Sequence, residues 1–258
     1  NLVNKYGIDT NWRDEIFKTG NTYTLDASVT GGGENVSYYL SLNHHEQDGI
    51  IDQSGMRREA LRFNFNTRVA DWFKVGLQSN LGYQKYETNS ENGASDGLYT
   101  TDPVLFARMA FPYDTYEEYT LENGKAVFNG NYAKKLHYTG FTTPRFVNEN
   151  RQQYRTIVTA NLNLFQEITP IKGLTIRAQQ ALDAFDYTLN SKSLPYDEQF
   201  TIWGDKIAAR TGSAQKAFEG YYPYTYTNTT EYRFNINDHN VTLFAGQESI
   251  ISKDDYRG

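Results

Sequence analysis

Apolar and polar residues alternate with a period of two along most of this chain. In VSYYLSLN, Val36, Tyr38, Leu40 and Leu42 fall on one side of an extended segment, and Ser37, Tyr39, Ser41 and Asn43 fall on the other. TYTLDASV repeats the pattern with Tyr23, Leu25, Ala27 and Val29. ALRFNFNTRV sets Leu61, Phe63, Phe65 and Val69 against Arg62, Asn64, Asn66 and Arg68. FKVGLQSNLGY, IVTANLNLF, LTIRAQQALDA, YPYTYTNTTEYRFNI and VTLFAGQ continue it. Their apolar sets include Leu162, Tyr232 and Leu243, and their polar sets include Asn161, Arg177, Glu231 and Arg233. Little helical periodicity lies between these segments. The pattern predicts about eight strands in an all-β chain.

The connections differ in length in a regular way. TGGGEN, ADW, TPIKG and NDHN are short and carry turn residues. HEQDGIIDQSGMRR, residues 87–150 and residues 189–220 are the longer ones, and short alternates with long. If strands run up and down, all tight turns lie at one end and all long loops at the other. A transmembrane antiparallel β-barrel with long extracellular loops has that layout. A Greek-key sandwich has no reason to segregate loops by length. Two long connections contain stretches that read as short helices: LYTTDPVLFARMAF, starting at Asp102-Pro103, and DEQFTIWGDKIAARTGSAQKAF. Trp72, Phe73, Phe165 and Phe234 fall near short turns, and Tyr83, Tyr222 and Tyr224 toward long loops. Rings at both margins of an apolar band suit a membrane interface. The competing reading packs them in a sandwich core, where each Tyr hydroxyl needs a partner.

Composition sharpens this picture at a few points. No run of about 18 apolar residues exists, so no helix spans a membrane. The mean hydropathy of −0.69 fits a barrel wall, because lipid-facing and lumen-facing residues average out. The net charge of −6 and the pI near 5.3 argue against a nucleic-acid partner. The absence of cysteine excludes a disulfide scaffold and thiolate chemistry. The opening NLVNKYGIDTNW lacks the basic start and apolar run of a signal peptide.

Candidate chemistry is sparse. HHEQD invites a metal site, but adjacent strand residues point to opposite sides, so His44 and His45 cannot share an ion without a bulge. His137 and His239 fall in other connections. TNSENGASDG has calcium-loop residues without EF-hand spacing. Loop carboxylates would serve a glycosidase only as a spatial pair, which sequence spacing does not reveal. Neither a metal nor a cofactor is expected. Tyr113, Asp114, Tyr116, Arg145, Tyr196 and Trp203 combine rings with polar groups in the long loops, as a site for a sugar or peptide would. The plainer role for them is holding the loops together.

Five stretches resemble a known family. TNWRDEIFKTG is similar to the T-D/N-W-x-D-E-I/L-F/Y-R/K-T-G segment of the SusC/RagA family of TonB-dependent outer-membrane transporters. SVTGGGENVSYYLSLNHHEQDGII and LRFNFNTRVADWFKVG continue the match, and YDTYEEYTLENGKAV and HNVTLFAGQE resemble later family stretches. His44-His45 depart from it, standing where Gly-Tyr is commoner. The resemblance implies a barrel of about 22 strands filled by an N-terminal plug. It further implies a SusD-like surface lipoprotein, energy from the TonB complex, and the outer membrane of a Gram-negative bacterium. Residues 1–258 are then expected to be a partial barrel domain of about eight strands, with the plug and the C-terminal barrel strands outside the chain. Arg62, Asn64, Arg68, Asn161, Arg177, Glu231 and Arg233 would face the lumen or plug. Leu40, Leu42, Phe63, Leu162, Tyr232 and Leu243 would face outer-membrane lipids. The function implied is import of nutrient oligomers, oligosaccharide ahead of peptide, with no covalent chemistry and therefore no enzyme. The alternative is a secreted, soluble all-β glycan-binding module or glycosidase.

Overall fold

A computed structural model describes residues 9–88, 151–193 and 213–258, with shorter stretches between 104 and 128 and at 199–200 and 207–208. Extended backbone dominates, as the two-residue period requires. β1 (Thr22–Gly32), β2 (Val36–Asp48), β3 (Gly55–Ala70) and β4 (Phe73–Thr88) form consecutive antiparallel hairpins. β5 (Tyr119–Glu122) and β6 (Lys125–Phe128) pair only with each other. β7 (Arg151–Ile171) then returns beside β4, and β8 (Leu174–Ser193) beside β7. β9 (Gln199–Phe200) and β10 (Ile207–Ala208) form another separate pair.

The remaining strands are two lines, each broken once. β11 (Ser213–Tyr221) and β12 (Tyr224–Ile236) both pair with β8, and the register runs unbroken from one to the other. β13 (His239–Ile251) pairs with β12, and β14 (Asp254–Arg257) pairs with β11. Pro223 sits at the break and has no N–H to give the ladder. The lines stay joined there because Asp183 N donates to the Pro223 carbonyl and Tyr222 N to that of Lys253. The ten-stranded sheet is thus eight adjacent antiparallel lines, and it does not close.

Tight turns end the strands on one side. Trp72 follows Asp71 in the β3–β4 turn, its ring stacked on Phe73 at 5.6 Å. Lys172-Gly173 and Asn237-Asp238 make the other two-residue turns, with positive φ at Gly173 and Asn237. At the opposite end the one-turn helix α1 (Trp12–Ile16) packs beneath the loops. Asn11 caps it by accepting from Arg13 N. Trp12, Ile16 and Ala107 are the buried hydrophobic residues among those described, with Ile51 and Ala110 against them. The hydrophobic core therefore lies at the long-loop end and not against the sheet.

Several expectations need correction. His44 to Asp48 continue β2 instead of opening a loop, and residues 189–193 and 213–221 are strand. The DEQFTIWGDKIAARTGSAQKAF stretch contains β9, β10 and the start of β11 where a helix was expected. Helical residues do occur at Val104, Ala107 and Arg108, as the Asp102-Pro103 start implied. Tyr224 lies opposite Leu182 in the middle of the sheet, because β11 carries the line onward past Tyr222. Phe165 stands on the polar side, opposite Gly76 and Gln179, and so belongs to no interfacial girdle.

Gly173 has φ +87°, and a Cβ there would press on the Arg233 carbonyl oxygen. Its own carbonyl accepts from Arg233 N, tying the β7–β8 turn to β12. Gly173→Ala is expected to destabilise the wall by about 1–2 kcal/mol. Urea unfolding of the whole protein in detergent checks this, with Lys172→Ala as control. Equal midpoints for the two variants would refute the assignment.

Candidate functional site: the two sides of the wall

Cross-strand register decides which side chains share a side. One row runs Val29, Leu40, Phe63, Ser79, Leu162, Leu182 and Tyr224. The next runs Ala27, Leu42, Leu61, Leu81, Ala160 and Ala184. Tyr232 lies opposite Leu243 on this same side. Across β1 to β4 this side is mostly apolar, toward β13 it also carries Gln166, Gln180, Asn228 and Gln247, and no described residue covers it: Leu42 is 55% exposed and Leu243 58%.

The intervening residues make the opposite side polar. Ser28, Ser41, Arg62, Asn80, Asn161 and Asp183 form one row, and Asn161 Nδ2 donates to Asp183 Oδ1 at 2.7 Å. Tyr39, Asn64, Gln78 and Asn163 form the next. Between these rows lies a hollow of about 440 Å³ edged by Arg62, Asn64, Gln78, Asn161, Asn163 and Asp183. Nearer the tight turns, Arg68 lies directly opposite Lys74. Two like charges there would repel. Glu167 offsets them, accepting from Lys74 at 3.0 Å and lying opposite Arg177. The Arg177 guanidinium sits 4.2 Å from the Phe165 ring centroid. That ring occupies the space over Gly76 that any side chain would fill. Arg233 pairs with Glu231 two residues back.

The apolar side has a sharp upper margin. Moving toward the long loops, the next row is Leu25, His44, Glu59, Tyr83, Val158 and Asp186, and the one after includes Glu46, Arg57 and Lys85. Glu59 accepts from Arg57 Nε and bonds His44 Nδ1, both at 2.8 Å. Lys85 pairs with Glu87. From Phe73 to Tyr83, β4 therefore presents an apolar band of the ~9–11 residues that a tilted transmembrane strand needs.

The register gathers all seven polar residues expected toward a lumen on one side and all six expected toward lipid on the other. Tyr113, Asp114, Tyr116, Arg145, Tyr196 and Trp203 lie outside the described residues, as does His137. His44 and His45 point to opposite sides, His44 to Glu59 and His45 Nδ1 to Thr24 Oγ1 at 2.8 Å. Lys74, Gln78, Asn163 and Asp183 fall on the polar side that alternation assigns them, and Glu167, just past the IVTANLNLF segment, joins them.

No family model matches the chain. It is 40% identical over 72 residues to TonB-dependent receptor P26 of Formosa agariphila, covering 28% of this chain and 7% of that protein. It is 26% identical over 144 residues to TonB-dependent receptor SusC of Bacteroides thetaiotaomicron, covering 53% of this chain and 13% of that protein. The RagAB peptide transporter structure superposes with a TM-score of 0.67 and 25% identity, over 97% of this chain and 27% of the solved one. The RagAB peptide importer in its open-open state gives 0.66 and 25%, over 96% and 26%. This chain thus spans under a seventh of those curated relatives and about a quarter of the solved chains. An open antiparallel wall, matched in fold along nearly its whole length and in sequence over stretches of 72 and 144 residues, makes this chain a fragment of the barrel wall of a SusC/RagA-type TonB-dependent transporter.

Proposed function

We propose that this chain forms part of an outer-membrane, TonB-dependent importer of nutrient oligomers in a Gram-negative bacterium, working as the SusC-like partner of a SusD-like surface lipoprotein. One observation carries the reading: a broad apolar side with no described residue over it, limited by a charged margin at the long-loop end. A soluble module would have to bury that side in a second layer. The wall would also leave the edges of β1 and β13 open in water. In a closed barrel both edges are paired and the apolar side meets lipid.

The mechanism involves no bond making or breaking in substrate. Oligomer is captured at the long-loop end between the barrel and its lipoprotein lid. Force from the TonB complex then displaces the plug, and substrate passes along the polar side. Arg62, Asn64, Arg68, Asn161, Arg177, Glu231 and Arg233 line that path or hold the plug beside it. Amides and guanidinium groups in mixed array suit hydroxyl-rich cargo, because each side chain both orients and releases a neutral donor or acceptor. Glycan is therefore placed ahead of peptide. The similarity to a peptide transporter supplies the competing outcome.

Leu40→Arg is expected to cost about 2–4 kcal/mol at the middle of the band and to reduce folded barrel in the outer membrane. Asn64→Arg, one residue from the same level on the polar side, should assemble normally. The measurement is the amount of folded, membrane-extracted transporter. Normal assembly of Leu40→Arg together with failure of Asn64→Arg would sink the lipid-facing assignment. Cargo is tested by uptake of labelled oligosaccharides and oligopeptides into cells that carry or lack the transporter. Oligosaccharide uptake that depends on the transporter is expected. Dependence of peptide uptake alone would contradict the glycan assignment.

A further inference from the structure

Charge divides unevenly between the two sides of β1 to β4. Their polar side carries Arg58, Arg62, Arg68 and Lys74 against a single strand carboxylate, Asp26, which accepts from Asn43 Nδ2 at 2.6 Å. The other acidic residues of these strands stand at the charged margin of the apolar side, Glu46, Asp48, Glu59 and Glu87 beside Arg57 and Lys85. A chain of net charge −6 thus gathers cations along one stripe of its polar side. Three of them come from β3 alone, at its long-loop end, its middle and its tight-turn end. Arg58 donates to Asn43 Oδ1 at 3.3 Å. Arg62 is exposed at the edge of the 440 Å³ hollow, among amides. Arg68 is exposed beside Lys74, and with Asn66 and Phe165 they edge a second hollow of about 210 Å³, which Glu34 of the β1–β2 turn also borders. In that row Glu167 alone offsets three strand cations, Arg68, Lys74 and Arg177. The row keeps a positive excess that an anion would meet favourably.

We propose that this stripe passes acidic oligosaccharides, chains in which some sugars carry a carboxylate, from Arg58 through Arg62 to Arg68 and Lys74. The inference rests on the importer reading and names the charge of its cargo. A guanidinium takes a carboxylate through two parallel hydrogen bonds, while the neighbouring Asn64, Gln78 and Asn161 amides meet hydroxyls. Residues 58, 62 and 68 are separated by about 13 Å and about 20 Å along the strand. An extended chain can therefore keep one acidic sugar at a station while another reaches the next. Arg62 and Arg68 are open to water, so each holds an anion only weakly. Spaced weak sites of one sign pass a charged chain onward, where a single tight site would retain it.

The test is uptake by cells that carry or lack the whole transporter, with rates normalised to folded protein. The cells are offered two labelled oligosaccharides of equal length, one neutral and one bearing uronate sugars, and an acidic oligopeptide. The uronate oligosaccharide is expected to reach half-saturation at the lower concentration, an advantage that shrinks as salt is raised. Arg62→Gln with Arg68→Gln should reduce that advantage by about threefold for each cation removed, the scale of an exposed ion pair. Arg62→Lys with Arg68→Lys should keep most of it, because the charges remain. An acidic-to-neutral ratio unaltered by the Gln substitutions overturns the proposal, and is the outcome if these arginines only seat the plug. Neutral oligosaccharide taken up at equal or lower concentration also overturns it and leaves the importer reading standing. Preferred uptake of the acidic peptide overturns it together with the glycan assignment. Uptake of all three that is independent of the transporter would overturn the importer reading itself.

Discussion

The antiparallel hydrogen-bond ladder is the constraint on which everything else here depends. In lipid no water is present to satisfy a backbone N–H or C=O, so each strand must satisfy its neighbour. The ladder runs through eight adjacent lines, antiparallel at every step, and its register survives even the interruption at Pro223. Once that register is set, side-chain placement follows, because a one-residue slip would exchange the two sides. Leu40, Phe63 and Leu162 can share a side with Tyr224 only because each hairpin holds its phase. The small departures between Arg68 and Ala70 and between Ile168 and Ile171 are confined to the tight-turn ends, where they do not disturb the band.

From the same register come the two functional surfaces. On the polar side, direct cross-strand neighbours become a lattice of amides and paired charges, with Glu167 reconciling Lys74, Arg68 and Arg177. On the apolar side the rows are uncharged until His44, Glu59 and Asp186, where charge enters within one row. The strands themselves do not stop there. β2, β7 and β8 continue as ladder past the band, carrying polar residues on both sides. The long loops are thus held on a stalk of sheet, with the Trp12–Ile16 cluster packed at its end.

Much of this was legible in the sequence, and the limits have physical causes. Alternation locates a strand only where one side is apolar. It therefore found the cores of β1, β2, β3, β4, β7, β8, β12 and β13 and assigned Arg62, Asn161 and Leu162 to their sides. It fell short at QQYRT in β7, at TLNSKS in β8 and at HHEQD in β2. Those residues are strand because a neighbouring strand pairs with them, not because of their own pattern. β11 was missed for the same reason, and Tyr222-Pro223 disguised its continuity with β12. Ring placement misled in one case: Phe165 reads as interfacial by composition, yet its period puts it over Gly76 and beside Arg177. Which residues meet cargo was not legible, because loop side chains converge through folding and no short-range period encodes that convergence.

The central claim is that the Leu40 side of this wall meets lipid and the Asn64 side does not. Spin labels placed singly along β2 and β3, at Leu40, Ser41, Leu42, Arg62, Phe63 and Asn64 of the whole protein in bilayers, test it most directly. Collisions with oxygen report lipid exposure, and collisions with a water-soluble paramagnetic reagent report aqueous exposure. The account predicts high oxygen accessibility at positions 40, 42 and 63 and low values at 41, 62 and 64. A uniform profile, or one with the opposite phase, would contradict it.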